Sequence, residues 1–330
     1  MKKLLSLLLA AALALSAAGC AAKPAAASSA SSSAPAAVSS SAAAAASAAA
    51  KPAQDRAGNA ITVPDSAAKI VSLAPATTQV LDDLGLADKI VAVDTQSPMY
   101  VTDLPADTVQ LDLMNPDLEK ITALAPDIVF ASTMSSAGGE DVFQPLRDAG
   151  ICVAEIPTSS TIADVEKDVQ FTADCVGQSA KGQALVDGME SEIAAVKAIG
   201  DKITDKKTVL FEISPLPSLY SFGTGVYLDE MLGLIGAKNA LADQQGWVAV
   251  TEESAIAANP DVILTNDNYS SKDPVADILA LPGWENVTAV KNKAVYYIDN
   301  GASSLPNHNI TKALVEMAKA IYPDAYAALS

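Results

Sequence analysis

Few side chains in this sequence have the type and spacing that catalysis or metal binding requires. There is one histidine, His308, and there are three cysteines, Cys20, Cys152 and Cys175. One histidine cannot build the multi-histidine site that a bare transition-metal ion usually needs. No Ser-His-Asp arrangement, cysteine pair or histidine pair stands out, and no acidic residue lies in a catalytic motif. We therefore expect no catalytic residues, no bound metal ion and no cofactor.

Two hypotheses remain open for the histidine and for the inner cysteines. His308 precedes the last helical pattern, so it either contacts the cobalt or iron centre of a bound molecule or makes a hydrogen bond at the start of that helix. Cys152 lies in an apolar strand pattern, and Cys175 lies near the end of a helical pattern. These two are either buried thiols or, in an exported protein, a disulfide.

Residues 1–20 have the pattern of a secretion signal. Two lysines precede an apolar run over residues 4–15, which is too short to span a bilayer as a stable helix. Ala18, Gly19 and Cys20 resemble a bacterial lipobox, which predicts cleavage before Cys20 and anchoring by acyl chains on that residue. The alternative is plain secretion with an incidental cysteine.

The next segment, residues 21–53, is mostly alanine and serine with three prolines, and it predicts a disordered tether. Residues 54–330 are long enough for one large domain or two ordinary ones. The chain carries 39 acidic and 21 basic residues, a net charge of -18. This balance argues against nucleic acid as a partner, because phosphate contacts need clustered cations.

Short apolar runs, mostly β-branched, alternate with helical patterns after the tether. Such runs are typical of strands that are buried on both faces of a parallel sheet. The runs are residues 70–74, 90–93, 128–131, 151–156, 209–213, 262–265 and 294–298. The alternation predicts an α/β fold with parallel sheets.

The middle of the chain interrupts this alternation. Residues 162–176 and 180–199 read as two successive helices with no strand between them. A helix of twenty residues is about 30 Å long, enough to cross from one lobe to another. We therefore predict an N-terminal lobe over residues 54–178, a connecting helix over 179–200 and a C-terminal lobe over 201–330.

The two halves repeat one local plan. Glu119 precedes Pro126 and Asp127 by the same separation at which Glu253 precedes Pro260 and Asp261. Each glutamate lies near the start of a short helical pattern, whose predicted N-caps are Asn115 in the first half and Thr251 in the second. The repetition predicts two similar lobes.

Four motifs carry a resemblance to a known family. They are residues 69–75 (KIVSLAP), Leu118 and Glu119 ahead of residues 125–127 (APD), residues 236–239 (GAKN) and residues 259–263 (NPDVI). Together they resemble the substrate-binding proteins of ABC importers for cobalamin, haem and iron-siderophores, over nearly all of the chain after the tether. The resemblance implies two Rossmann-like lobes joined by one long helix, with the ligand in the cleft between them.

The resemblance also implies partners. Glu119 and Glu253 match the acidic residues, one in each lobe, with which family members dock onto arginines of the membrane permease. Separated carboxylates of this kind set orientation and encounter rate. The alternative is that both acids only complement a helix dipole. The expected protein is a monomer that is anchored at Cys20 on the extracellular face of the membrane and delivers a small metal chelate to an ABC permease.

The ligand should lie beyond the carboxyl ends of the strands, as it does in other parallel α/β folds. The loops there are rich in aromatic, methionine, hydroxyl and amide side chains and poor in cations, which favours a large and largely uncharged ligand. The predicted ligand contacts are Thr77, Thr78, Tyr100, Met114, Thr133, Met134, Tyr220, Phe222, Trp247, Asn268, Tyr269, Ser304 and His308. For the aromatic and methionine residues, packing in the core is the alternative.

Only two arginines occur, Arg56 and Arg147, and neither lies in these loops. Anionic siderophores usually call for bidentate guanidinium contacts, so a corrinoid, haem or a neutral hydroxamate chelate is favoured. Two other functions remain open: an enzyme that handles a metallocofactor on the same two-lobed fold, and a surface receptor for a host protein.

Overall fold

The computed structural model of the chain describes residues 51–136 and 141–329. The signal segment, Cys20 and the tether as far as residue 50 lie outside the described residues. None of the helices in the described part of the chain is both long and apolar enough to cross a membrane.

Two parallel sheets form the framework. The first has the strand order β3-β2-β1-β4-β5 and the second the order β11-β10-β6-β8, while β7 and β9 pair as a separate antiparallel ribbon. The strands are β1 (Ile70–Ser72), β2 (Ile90–Asp94), β3 (Val109–Leu111), β4 (Ile128–Ser132), β5 (Cys152–Ile156), β6 (Thr208–Glu212), β7 (Tyr220–Phe222), β8 (Lys238–Asn239), β9 (Trp247–Ala249), β10 (Val262–Thr265) and β11 (Val295–Tyr297). The predicted α/β class with parallel sheets is confirmed.

Helices cover the sheets and link their strands. They are α1 (Pro75–Asp83), α2 (Leu118–Leu124), α3 (Gln144–Asp148), α4 (Ile162–Cys175), α5 (Ser179–Gly200), α6 (Tyr227–Ile235), α7 (Glu252–Ala258), α8 (Pro274–Leu279), α9 (Thr288–Lys291), α10 (Asn300–Ser304) and α11 (Ile310–Ile321). The central strands β1, β4 and β10 are buried along their whole length, which is why their sequences are continuously apolar.

The long helix α5 joins the half of the chain that forms the first sheet to the half that forms the second. Its 22 residues span about 33 Å. Its buried residues, among them Val186, Met189 and Val196, belong to a hydrophobic core that also contains residues of α4, α6 and α11. One apolar core therefore runs from the end of the first half into the second.

Two glycines allow α5 to approach its neighbours closely. A methyl group built at Gly182 would overlap Ala173 of α4, and one built at Gly200 would overlap the Leu234 carbonyl of α6. Gly188, on the exposed face of the same helix, has no neighbouring atom in that position. The small residues at both ends of α5 thus set the distances at which the adjoining helices pack.

The duplicated plan has a structural basis. Helices α2 and α7 each end at a residue with a left-handed backbone, Ala125 (φ 47°) and Asn259 (φ 42°). Two residues later, the Asp127 carboxylate accepts hydrogen bonds from the Ala68 and Lys69 amides, and Asp261 accepts one from Thr208. Each aspartate therefore fastens the start of the neighbouring strand of its sheet.

One of the two predicted helix caps is wrong. Thr251 caps α7 as predicted, because its side chain accepts a hydrogen bond from the Ser254 amide. In the first half the cap of α2 is Asp117, which accepts from the Lys120 amide, and not Asn115. The Asn115 amide instead donates to Asp112, so this residue belongs to the turn that follows β3.

Both inner cysteines are free thiols. Cys175 is buried and Cys152 is half-buried. Burial raises the pKa of Cys152 to about 11 and raises the pKa of Cys175 as well. Both side chains therefore stay in the unreactive thiol form near neutral pH.

A buried acid ends β6, one of the two central strands of the second sheet. Glu212 of β6 lies opposite Thr265 of β10 and is 3% exposed. Burial, aided by the nearby Asp267 carboxylate, raises the pKa of Glu212 from 4.5 to about 7. The folded protein therefore holds a proton on Glu212 at pH values where the unfolded chain has released it.

The packing of α5 gives a paired stability test. We expect Gly200→Ala to lower the free energy of unfolding by about 1–3 kcal/mol, because the added methyl group overpacks the contact with α6. We expect Gly188→Ala to raise it by about 0.5–1 kcal/mol, because the open site gains only the better helix propensity of alanine. Urea unfolding measures both values, and equal effects at the two sites would contradict the close packing of Gly200.

The Glu212 carboxyl gives a pH test. Because its pKa is higher in the folded state, the free energy of unfolding should fall as pH rises from about 4.5 to about 7, by about 3 kcal/mol from this group. Glu212→Gln should remove that decrease, whereas Glu192→Gln on the exposed face of α5 should leave it in place. Unfolding curves at half-unit pH steps measure the difference, and an unchanged slope in Glu212→Gln would show that Glu212 is ionised when folded.

Candidate functional site

A cavity of about 180 Å³ lies where the two halves of the fold meet. From the first half its wall includes the residues that follow β1, β4 and β5, together with one face of α4. From the second half it includes Ser304, Leu305 and Pro306, at the end of α10. The wall is mainly apolar, with the hydroxyl groups of serines and threonines between the apolar groups.

The predicted ligand contacts fall into three groups in the structure. Thr77, Met134 and Ser304 line the cavity. A second group lies outside the cavity wall, in loops that follow strands or on the β7–β9 ribbon, and is exposed or half-buried: Tyr100, Met114, Thr133, Tyr220, Trp247, Asn268 and Tyr269. The third group, Thr78, Phe222 and His308, is committed to other contacts.

Thr78 and Phe222 face the core and are absent from the cavity wall, and their assignment as ligand contacts stays a prediction. The Thr78 hydroxyl is fully buried and bonds the Ser72 and Ser97 hydroxyls, each at 2.8 Å. Phe222 is 1% exposed, and its ring centroid lies 5.8 Å from that of Phe211 and 6.0 Å from that of Trp247. Both residues come after predicted strands, where we expected ligand contacts, but their side chains are buried in the interior of the fold.

His308 joins the two halves of the fold instead of facing the cavity. Its Nε2 atom lies 2.7 Å from the Asp83 carboxylate at the end of α1. The ring holds the pKa of Asp83 below its ordinary value. His308 thus makes an ion pair or hydrogen bond with a side chain of the other half, and not the helix-start hydrogen bond considered from the sequence. Its role as a ligand of cobalt or iron stays a prediction.

Further contacts between the halves lie beside this pair. The Asn307 amide donates to Gln79 at 2.7 Å, and the Tyr100 hydroxyl donates to Asn300 at 2.9 Å. The hydroxyl group of Tyr100 is therefore hydrogen-bonded to the opposite half of the fold. These contacts hold α1 and the loop after β2 against the start of α10 and the segment that precedes α11, and the cavity adjoins them.

Both arginines are engaged in ion pairs on the first half. Arg56 bonds the Asp168 carboxylate, whose other oxygen accepts a hydrogen bond of 2.6 Å from the Ser159 hydroxyl. Arg147 bonds Asp141 at 2.7 Å and Glu155 at 3.0 Å. Asp168 is also part of the cavity wall, and burial raises its pKa despite its Arg56 partner.

Large apolar side chains are exposed at one edge of each sheet. Within the described residues, every exposed large hydrophobic side chain belongs to a loop after a strand, to the end of β11 or to the β7–β9 ribbon. They are Met99, Met114 (54%), Met134 (45%), Tyr220, Trp247 (36%), Tyr269 (66%), Tyr296 and Tyr297. The core alternative is therefore wrong for Met114, Met134, Tyr220, Trp247 and Tyr269.

The sequence reasoning missed several residues of this region. The loop after β5 and the face of α4 supply Thr158, Ser159, Asp168 and Thr172 to the cavity wall. The rule that ligands lie beyond the carboxyl ends of parallel strands also applies to the loop after β5, so it could have identified Thr158 and Ser159. Asp168 carried no such signal, because only the packing of α4 brings it to the cavity.

The two candidate docking glutamates are exposed at equivalent places. Glu119 lies in the first turn of α2 and Glu253 in the first turn of α7.

No group of three or more histidine, cysteine or acidic side chains that could hold a metal ion is found among residues 51–136 and 141–329.

Known proteins share this architecture. A family model described as periplasmic binding protein matches residues 70–302. An uncharacterized ABC transporter substrate-binding lipoprotein of Bacillus subtilis is 33% identical over 276 residues, which cover 82% of this chain and 85% of that protein. A vitamin B12-binding protein of Vibrio parahaemolyticus is 24% identical and covers 76% of this chain and 88% of its own length.

Solved structures agree. A periplasmic heme-binding protein from Roseiflexus has a TM-score of 0.67 and 25% identity, covering 78% of this chain and 98% of that one. The molybdate-bound binding protein of a Haemophilus influenzae ABC transporter has a TM-score of 0.73 and 22% identity, covering 84% and 93%. The predicted two-lobed fold and the resemblance to substrate-binding proteins are confirmed. The chain belongs to the periplasmic binding protein family, whose members are the substrate-binding proteins of ABC transporters and not enzymes.

Proposed function

We propose that this protein captures a metal chelate, either a corrinoid, haem or an iron-siderophore, between its lobes and delivers it to an ABC permease. The observation that carries the proposal is the set of exposed methionine and aromatic side chains at the strand ends of both sheets. Exposed apolar side chains at the strand ends favour a binding site there, and aromatic rings offer rigid contact area to a large, partly apolar ligand.

The size of the cavity is consistent with a ligand that is only partly enclosed. Binding cavities for drug-sized molecules are about 300–1,000 Å³, whereas this cavity has about 180 Å³. A metal chelate would therefore place one part in the cavity and cover Met114, Met134 and Trp247 with the rest. Relatives named for vitamin B12, heme and iron support this ligand class.

The location and domain plan follow from the sequence. Cleavage before Cys20 and acylation of that residue would hold the protein at the extracellular face of the membrane, with residues 21–53 as the tether. The lobes would be residues 54–178 and 201–330, with residues 179–200 as the connector. The name of the Bacillus subtilis relative, a substrate-binding lipoprotein, supports the anchor.

The docking role of Glu119 and Glu253 rests on the repeated geometry. Both acids occupy the first turn of a seven-residue helix. Both helices end at a residue with a left-handed backbone, followed by an aspartate that hydrogen-bonds the start of a neighbouring strand. Two equivalent exposed carboxylates, one in each lobe, suit a permease surface with two matching basic sites. We assign no role in ligand binding to either acid.

Ligand capture can be tested by thermal unfolding of the full-length protein with cyanocobalamin, dicyanocobinamide, haemin and ferrichrome. A compound present at a hundred times its Kd should stabilise the folded state by about 2.7 kcal/mol, which raises Tm by several degrees. Trp247→Ala should reduce the Tm shift of that compound, because the variant removes an exposed aromatic contact. If no compound raises Tm, the ligand class is wrong.

The docking role can be tested in cells that produce the protein and take up the compound that binds. The double variant Glu119→Ala with Glu253→Ala should lower uptake at least about tenfold while the Kd of the isolated protein stays unchanged. The control is Asp187→Ala with Glu192→Ala, which removes two exposed acids from α5 and should leave uptake intact. Normal uptake by the first variant would rule out docking through these glutamates.

A further inference from the structure

The cavity wall provides no positive charge. Within the described residues, its one charged member is the carboxylate of Asp168. Its other polar side chains are hydroxyl groups, such as those of Thr77, Thr172 and Ser304, which can donate or accept a hydrogen bond. An anion placed here would find hydrogen-bond donors but no cation to balance its charge.

The nearest arginines cannot supply that cation without breaking other contacts. Arg56 reaches the cavity wall only through its ion pair with Asp168, and Arg147 is shared among the Asp141, Glu155 and Asp55 carboxylates. His308 is held by Asp83. In the described loops that follow the parallel strands, the remaining cation is the exposed Lys272.

Carboxylates also line the edge of both sheets. Two strands of each sheet have an aspartate at or just beyond their carboxyl end. These residues are Asp94 and Asp112 in the first sheet and Asp267 and Asp299 in the second. Parallel strands bring these ends to one edge of each sheet, so the negative charges accumulate where the ligand is proposed to bind.

Most of these aspartates have a local role, because they accept backbone amides and shape the loops. Asp94 accepts from Gln96 and Ser97, and Asp267 accepts from Tyr269 and Ser270. This role does not remove their charge. The second carboxylate oxygen of Asp267 is buried and has no hydrogen-bond partner among the described residues, so no donor balances it on that side.

From these observations we infer that the cleft selects its ligand by charge. It accepts neutral or cationic metal chelates and rejects oxyanions and chelates whose buried face is anionic. The inference rests on the proposed function and narrows its ligand class. The inference also predicts a ligand different from that of the molybdate-bound Haemophilus influenzae protein, because molybdate is a small dianion and is not expected to bind here.

Pairs of compounds that differ in charge test the inference, and the corrinoid and haem pairs are also matched in shape. The pairs are dicyanocobinamide with dicyanocobyrinic acid, haemin dimethyl ester with haemin, and ferrioxamine B with ferric enterobactin, with molybdate added alone. Kd values are measured by calorimetry with the full-length protein in detergent. In the pair that binds, the neutral or cationic member should bind at least about tenfold more tightly, and molybdate should give no heat.

Asp168→Asn tests the contribution of the cavity wall. It removes one negative charge there and leaves Arg56 without its main partner, so the anionic member of the bound pair should gain affinity by at least about threefold. Asp187→Asn, the same change on the exposed face of α5, should leave both Kd values unchanged. If Asp168→Asn does not fold, Ser304→Lys places a positive charge on the opposite wall and should shift the preference in the same direction.

The outcomes separate this inference from the proposed function. Equal or tighter binding of the anionic member, or heat from molybdate, overturns the charge selectivity and leaves the proposed function standing. Absence of binding by every compound overturns both. Preference for the neutral or cationic member, relaxed by Asp168→Asn or Ser304→Lys but not by Asp187→Asn, supports the inference.

Discussion

Parallel strand pairing is the constraint on which the rest of this structure depends. Because neighbouring strands run in the same direction, each connection must cross over the sheet, and helices such as α1 and α6 occupy these connections. The same pairing brings the carboxyl ends of all strands in a sheet to one edge. Loops with unrelated sequences therefore meet there, and the binding surface is a consequence of the pairing direction.

Much of this framework could be predicted from the sequence. Strands β1, β4 and β10 are buried on both faces and so carry unbroken apolar runs, and α5 repeats its apolar residues at helical spacing over 22 residues. Strands β8 and β9 gave no such signal. Two-residue β8 and the half-exposed β9 exist because tertiary pairing with β6 and β7 holds them.

The site was less predictable than the fold because a loop position does not fix the direction of its side chain. Thr77 and Thr78 are adjacent in α1, yet one lines the cavity and the other completes a buried chain of hydroxyl groups. Asp168 lies far from every strand end in the sequence. It reaches the cavity because α4 packs against α1, whose Thr77 and Val80 line the same wall, and the sequence pattern does not predict which helices pack together.

The double engagement of Asp168 has an evolutionary consequence. One of its oxygens binds Arg56, near the beginning of the folded chain, and the carboxylate also forms part of the cavity wall. A substitution that adapted the wall to a new solute would at the same time release the segment that leads in from the tether. Lineages that change cargo are therefore expected to vary Thr77, Met134 or Ser304 first, since these wall positions carry no comparable ion pair, and to retain the aspartate.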